Sequence, residues 1–593
     1  MKAKDSSYQM IVRLMFRLLP IQILLTVIGS INNLVSSLFA GNVIGPDSMT
    51  AAGLYSPVAM LLISLGGILV GGASILCGKY MGENLVEKTQ NIFSLDLALS
   101  LILGVFFTVL NLTVAAFNAT GFLAKDPSVR PLFNRYLMGQ AAGILPTILT
   151  TQLSAFLSLE NKANRVTLAS IVCVAVNTVL AYLFIVVLRM DVLGLSLSSA
   201  LAMWAFFAVE AEYFVSKKST LRFTFRHLKW HDTREIIKIG LPGAIGNGYQ
   251  TVRGLIVNNL LLEHVGSMGV SAFATTGALL GFFWAIPNGM LSVARMMFSV
   301  CEGEEDRKSL INTMKTILFR YTPLMLAVCV VMILMAVPFT RMYYRDVTDP
   351  VFNMTVAGFR IMPLCMPAGL LCMHFMCFGQ VTNRQLPVHV LAAMDGMVGV
   401  SLFTWLLIPH IGMNSVYWAN VLNGLLDIVL ICGYAAFKNK RFPRRTEDLM
   451  VIPKDFGIGE ENWFDVSINS EEEVIRISES IQNFCLEKGI DSRRSYLSGL
   501  FLEEMAGNVV SHGFTKKPGK KFTIDIRVVH NIRDDSLILR IKDDCVSFDP
   551  ATRLEIASPE DPVKNIGVRL VYNMAKNVQY QSVLGLNVLT ITI

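Results

Sequence analysis

The chain has 593 residues, of which 53% are hydrophobic and 16% charged, with a formal net charge of +7. Mean hydropathy is +0.52. So few charges cannot wet the surfaces of several soluble domains, which excludes a wholly soluble enzyme and a disordered chain and predicts many membrane spans. The averages conceal a break near residue 445. Residues 1–445 hold 34 Lys+Arg and 21 Asp+Glu, whereas residues 446–593 hold 17 and 23. A sparsely charged, basic region is followed by an acidic one with the charge density of a soluble domain.

The first apolar run contains Pro20 and continues past signal-peptide length, so a cleavable leader is not expected. Runs of about 20 apolar residues suit a bilayer core. Twelve are found, near 14–42, 52–78, 91–118, 134–158, 166–188, 193–215, 236–262, 270–300, 310–338, 353–379, 387–409 and 414–437. Lys and Arg in the connections divide 23 to 6 between the two sides. That asymmetry puts both termini in the cytoplasm of a cell-membrane protein and requires an even number of spans. The twelve read as six repeated twice. Leu19-Pro20 recurs as Leu241-Pro242, Ala51-Ala52-Gly53-Leu54 loosely as Ser271-Ala272-Phe273-Ala274, Gly82-Glu83 as Gly303-Glu304, and Leu193-Gly194 as Ile411-Gly412, in one order and at nearly constant offset. The expected boundaries are a first half over 1–215, a basic linker over 216–235 and a second half over 236–440. A short linker over 441–464 and a soluble domain over 465–593 follow. Parallel six-helix halves around a cavity are one way to build a transporter.

None of the ten cysteines lies in a CxxC pair, so a zinc site is not expected. Cys372, His374 and Cys377 are close in an apolar run, but Cys372 and Cys377 point to different sides of a helix, and buried packing is the expectation.

The stretches LFAGNVIGPDSMTAAGLYSP, GGASILCGKYMGENLVEKTQ and LENKANRVTLASIVCVAVNTVLAYLFI, the last followed by LGLSLSSALA, resemble the multidrug and toxic compound extrusion (MATE) transporters. The resemblance covers nearly all of residues 10–440. It implies an all-α membrane domain of twelve helices in two lobes that rock against each other. It also implies export of organic cations or related amphiphiles in exchange for H⁺ or Na⁺. Many members carry an Asp in the first span, where this chain has Ser36. A coupling carboxylate is therefore sought elsewhere. Ionisable residues within spans are costly and often functional. Asp395 is central in its span and is the candidate for the coupling charge, paired with Arg295 or Arg253. Asp96 and Asp427 are expected near span ends, in reach of water. Asn32, Asn33, Gln152 and Asn177 either line a cavity or hydrogen-bond between helices.

Past residue 445, helices are expected over 471–488, 492–512 and 565–577, and strands over 521–529, 536–542 and 586–593. No Walker A loop is present, since Gly78-Lys79 is followed by Tyr80 and Gly519-Lys520 by Lys521. In LEEMAGNVVSHGF, Glu504 and Asn508 share one helix face. Asn can ligate Mg²⁺ and Glu can act as a base. LRIKDDCVSFDP ends a strand in an acidic pair, and NIGVRLVYNMAKNVQY opens a helix with Gly, where amides can meet phosphate.

These three blocks in this order resemble the GHKL-type ATP-binding domain, an α/β sandwich, and among its members the anti-sigma-factor serine kinases. The resemblance implies ATP and Mg²⁺ as cofactors, Glu504 as base, Asn508 as metal ligand, Asp543 as reader of the adenine amino group and Gly567 at the phosphates. His512-Gly513 matches a common continuation of the first block and reads as structural. The family's Asp-x-Gly-x-Gly box has Cys545 and Ser547 in place of both glycines, and Asn565 replaces a third. Two readings stay open. One is a cation-coupled exporter of small molecules whose ATP-binding domain regulates it or binds a regulatory protein. The other is a signalling protein with a transporter-like sensor and a serine/threonine-kinase-like output. Nucleic acid is not an expected partner.

Overall fold

The computed structural model describes residues 2–39, 46–83, 85–122, 130–160, 162–216, 219, 221–224, 228–344, 346–453, 456, 462–468, 470–513, 524–531, 535–545, 550, 566–583 and 586–593. The chain forms two compact units. One comprises Leu18–Gly303 and Thr313–Val451, the other Met1–Arg17, Glu304–Asn312 and Ile452–Ile593.

The larger unit is helical. Among the described residues ten helices are long and apolar enough to cross a bilayer, and a pair bent by 41°, Met268–Phe283 and Ala285–Gly303, makes an eleventh. The seventh expected span is a 32-residue helix, Thr233–His264. It is not among the apolar ones, because Gln250, Arg253, Asn258 and Asn259 interrupt its apolar character. The chain is an integral membrane protein. Its last span, Asn414–Asn439, is followed by a short turn that Arg384 ties back through Nη bonds of 2.6 and 2.7 Å to the carbonyls of Met450 and Val451.

Contact between the two halves of this unit centres on the Pro46–Gly82 helix, which packs on Thr233–His264 and on Ala285–Gly303. Gly72 rests on the carbonyl of Ile236, and Gly240 on that of Ile68. A side chain at either position would overlap backbone, which cannot move aside as a flexible side chain can. Among the described residues the halves therefore meet backbone to backbone toward the end that carries Lys79.

The smaller unit carries a five-stranded, wholly antiparallel sheet in the order β1-β2-β3-β5-β4. The strands are β1 (Trp463–Ile468), β2 (Ile524–Asn531), β3 (Ser536–Asp543), β4 (Asn577–Val583) and β5 (Leu586–Thr592). Ile524, Ile526 and Val528 of β2 and Leu537, Leu539 and Ile541 of β3 alternate into one core with Ile477, Ile481, Phe501 and Met505 from the helices Glu471–Glu487 and Ser492–Asn508. Strand alternation sends the intervening residues to the other face. There Asp465, Arg527 and Arg540 are cross-strand neighbours, as are Ser467, Asp525 and Lys542.

The sequence pattern missed β1 and β4. β1 is six residues with Asp465 and Ser467 on its outer face, and β4 reads NVQYQSV, polar enough to pass for a loop. The expected helix over 565–577 is Ile566–Met574, and Asn577 already begins β4. The expected helix over 492–512 is regular to Asn508 and ends in a π-turn, Val509–Gly513.

Candidate functional site

Two sites emerge, one in each unit. In the membrane unit Asp395 sits on a π-turn, Met394–Val398. Such turns add one residue to a helical turn and recur at functional sites. The ligand atoms of Cys372, Asp395 and Asp427 lie within 4.8 Å of one another. Asn423 joins the two acids, its Nδ2 donating to Asp395 Oδ1 at 3.1 Å and to Asp427 Oδ2 at 3.3 Å. Gly399 packs directly on the Asn423 carboxamide and leaves it room. Asp427 is fully buried, and its Oδ1 and Asn423 Oδ1 have no hydrogen-bond partner. Two carboxylates this close in a buried setting repel each other unless a proton or a cation lies between them.

This arrangement departs from the sequence reading in three ways. Asp427 is not near water, and neither is Asp96, which is also fully buried with both carboxylate oxygens unpartnered. Arg253 reaches Asp395 through the backbone, donating from Nη1 to its carbonyl at 3.2 Å. Arg295 lies elsewhere. With Gln22, Ser74, Ser154, Ser158 and Ser292 it lines a separate cavity of about 180 Å³, and its Nε has no hydrogen-bond partner. Asn177 is buried and accepts from Ser199 Oγ at 3.4 Å, and Gln152 donates to the Gly66 carbonyl at 3.2 Å, so both link helices. His374 and Cys377 are buried in the apolar interior, as expected, whereas Cys372 joins the two acids. Asn32, Asn33 and Ser36 lie outside the residues whose side chains are described. Asn423 went unnoticed in the sequence. Its position four residues before Asp427 on a helix was the available signal.

In the C-terminal unit the three sequence blocks converge. Of the pair Glu503-Glu504, the first is exposed and the second is half-buried. The Ser492–Asn508 helix packs against Ile566–Met574. Gly567 lies so close to the Glu504 carboxylate that a Cβ there would overlap it. Asn508 donates from Nδ2 to the Glu504 carbonyl at 2.6 Å, and its Oδ1 is the carboxamide atom able to ligate a metal.

Asp543, at the inward end of β3, is buried at 4% exposure. Its Oδ1 accepts from Asn587 Nδ2 at 2.7 Å and from the Cys545 N–H at 3.0 Å. Tyr580 Oη donates to Asn587 Oδ1 at 2.8 Å and orients that amide. Burial pushes the Asp543 carboxyl above its usual range, against the lowering effect of Asn587 and the Cys545 N–H. Asn587 and Tyr580 were not singled out in the sequence. They come from strands more than 30 residues downstream and reach Asp543 only through sheet pairing. His512, Gly513, Val546, Ser547 and Asn565 lie outside the residues whose side chains are described.

The residues present fit a nucleotide with its metal. A glycine at a helix start is stacked on a half-buried glutamate, an asparagine on the glutamate's helix offers a carbonyl oxygen, and a buried aspartate is held in place at a strand end. The model of the MatE family matches residues 21–183, and that of the histidine kinase-like ATPase domain matches residues 469–593. The chain joins a MATE domain to a histidine kinase-like ATPase domain. The MATE portion is similar to multidrug export protein MepA of Staphylococcus haemolyticus, 24% identical over 421 residues that cover 70% of this chain and 89% of that protein. It is also similar to the probable multidrug resistance protein YpnP of Bacillus subtilis, 26% identical over 224 residues, 36% of this chain and 47% of that protein. In fold it matches an outward-facing multidrug resistance MATE family transporter with a TM-score of 0.65 at 20% identity, over 71% of this chain and 94% of that one. A MATE structure in the straight conformation matches with a TM-score of 0.65, also at 20% identity, over 72% and 97%. The ATPase domain implies ATP binding, and the MATE domain implies a small-molecule substrate in a membrane.

Proposed function

We propose that this protein exports drug-like amphiphilic solutes by cation-coupled antiport, and that its ATPase domain binds MgATP and regulates export. Twelve spans in two six-helix lobes, with both termini cytoplasmic, complete this reading. The Thr233–His264 helix would be the twelfth span. The observation that carries it is the buried Asp395–Asn423–Asp427 cluster. It offers what the first span lacks at Ser36, a carboxylate within the membrane that can exchange a proton or a sodium ion. The close backbone contact of the halves toward Lys79 suits an outward-facing state, in which the cation would enter and the solute would leave.

In the ATPase domain Asp543 would hold the adenine amino group, Asn508 Oδ1 the Mg²⁺ ion, and the start of the Ile566–Met574 helix the phosphates. Bound ATP would supply a transferable phosphoryl group. Glu504 would take a proton from water or a hydroxyl, and the close approach of Gly567 to its carboxylate supports that reading. The same geometry serves a regulatory site that binds without turnover. The buried acids favour transport over a sensor-kinase, because a sensor needs no titratable pair inside the membrane.

Ethidium efflux from proteoliposomes under an imposed proton or sodium gradient tests the transport reading. Efflux is expected with the gradient alone, and it is expected to be lost in Asp427→Asn. Efflux by Asp427→Asn at the wild-type rate would refute the coupling role. MgATP titration calorimetry on wild type and Asn508→Ala tests the nucleotide site, with binding expected only for wild type.

A further inference from the structure

Residues 304–312, which connect the bent helix pair to the Arg307–Leu334 span, belong to the same compact unit as the ATPase sheet. They lie on its charged face. Lys308 Nζ meets Asp465 of β1 at 2.7 Å, and Asp306 meets Arg527 of β2 at 2.9 Å and Lys542 of β3 at 3.5 Å. Glu304 also pairs with Lys542. These groups are withdrawn from water, with 4% side-chain exposure for Glu304 and 10% for Asp306. Arg527 is further held over the Trp463 ring, 5.5 Å from its centroid. The sheet offers acid to the loop's lysine and base to its acids, so one register satisfies every pair.

Asp306 has a second role. Its carboxylate accepts from the Ser309 N–H at 3.0 Å and from the Ser309 hydroxyl at 2.7 Å, and so caps the helix that begins at Arg307. Burial works against charge here, but Arg527 and Lys542, with Ser309, hold the carboxyl well below its usual range. The sheet thus grips the first turn of a helix that continues as a span. The first irregularity along it is the π-turn Ile317–Tyr321, one place where a pull at its start could be taken up. On β3 the grip and the nucleotide site are adjacent residues, with Lys542 outward and Asp543 inward.

We propose that this clasp is the contact through which the ATPase domain acts on transport. It fixes the start of the Arg307–Leu334 span, and nucleotide at Asp543 alters its hold through β3. The proposal rests on the regulatory reading above and names the surface that carries it. Coupling of this kind requires that nucleotide favour one state of the clasp over another.

Hydrogen exchange at amides 307–321 of the full-length chain, with ethidium efflux measured in parallel, tests this. Lys308→Glu breaks one pair, Arg527→Ala breaks another and spares the helix cap, and Lys308→Glu with Asp465→Lys swaps the charges. Each single change is expected to raise exchange about fivefold and to change efflux about threefold, with the swap within about twofold of wild type. MgATP is expected to alter exchange in wild type and not in Arg527→Ala. Unchanged exchange or efflux in the single variants, no return in the swap, or the same MgATP response in wild type and Arg527→Ala would each overturn the proposal. If MgATP does not bind wild type at all, the nucleotide reading and the β3 link both fall, while the single and swapped variants still decide whether the clasp acts on the span.

Discussion

The two units treat buried acid in opposite ways. In the C-terminal unit the carboxylates of the helix cap and of the strand end, Asp306 and Asp543, are matched. Asp306 has Arg527, Lys542 and Ser309, and Asp543 has Asn587 and a backbone N–H. In the membrane unit Asp96 has neither oxygen partnered, Glu210 keeps only a bond from Ser154 at 2.6 Å, and Asp427 Oδ1 has no partner. An unmatched carboxylate in a low-dielectric interior is costly as an anion. A fold keeps such groups where protons or cations come and go, and matched ones where a shape must hold. The contrast separates groups that would move charge from groups that set position.

The sharpest way to break the contrast is to neutralise the unmatched acid. Asp427→Asn is expected to lower gradient-driven ethidium efflux by roughly 100-fold, about 2.7 kcal/mol, with MgATP affinity unchanged. A rate near wild type would place Asp427 with the structural acids. Next in size is the backbone contact between the halves of the membrane unit. Gly240→Leu is expected to cut efflux about tenfold, because its side chain meets the Ile68 carbonyl and the two halves cannot close. Wild-type efflux in that variant would show that this closure is not on the transport path.

In the C-terminal unit the effects are smaller. Asn587→Ala should weaken MgATP binding about fivefold by calorimetry, because Asp543 loses the amide that orients it, a net contribution near 1 kcal/mol. Unchanged affinity would make Asn587 a packing residue only. The smallest effect concerns Asp525, which burial pushes up to about 6, against the hydrogen bond from Ser467 at 2.5 Å. Its folded value lies above its unfolded one, so the native state holds this proton where the unfolded chain has released it. The stability it contributes is complete below about pH 4 and is lost as pH rises through about 6. Asp525→Asn should therefore stabilise the C-terminal unit at pH 7.5 by roughly 1–2 kcal/mol and leave pH 4 unchanged. The readout is that unit's transition in scanning calorimetry of the solubilised chain. Equal effects at both values would remove the titration from the account.

Which of these features could be read without coordinates follows from range. Hydropathy runs, the change of charge density near residue 445 and the E-x-x-x-N spacing are local, and they marked the membrane helices, the join and one face of the ATPase site. The partner of Asp395 was not readable, since Asn423 and Asp427 come from the next span and meet it only once the helices pack. The same reason hid Asn587 behind Asp543. It also hid the loop at 304–312, whose charges look like an ordinary solvated turn until strands β1, β2 and β3 lie beneath them.

The sequence alone determined that this chain is a helical membrane domain followed by a small α/β nucleotide-binding domain. Apolar periodicity and charge density are properties of neighbours along the chain, and they suffice for that. Tertiary structure decided which buried acids are matched and which are not. That depends on groups tens to hundreds of residues apart arriving within about 3 Å, where the energy of an ion or a hydrogen bond is set.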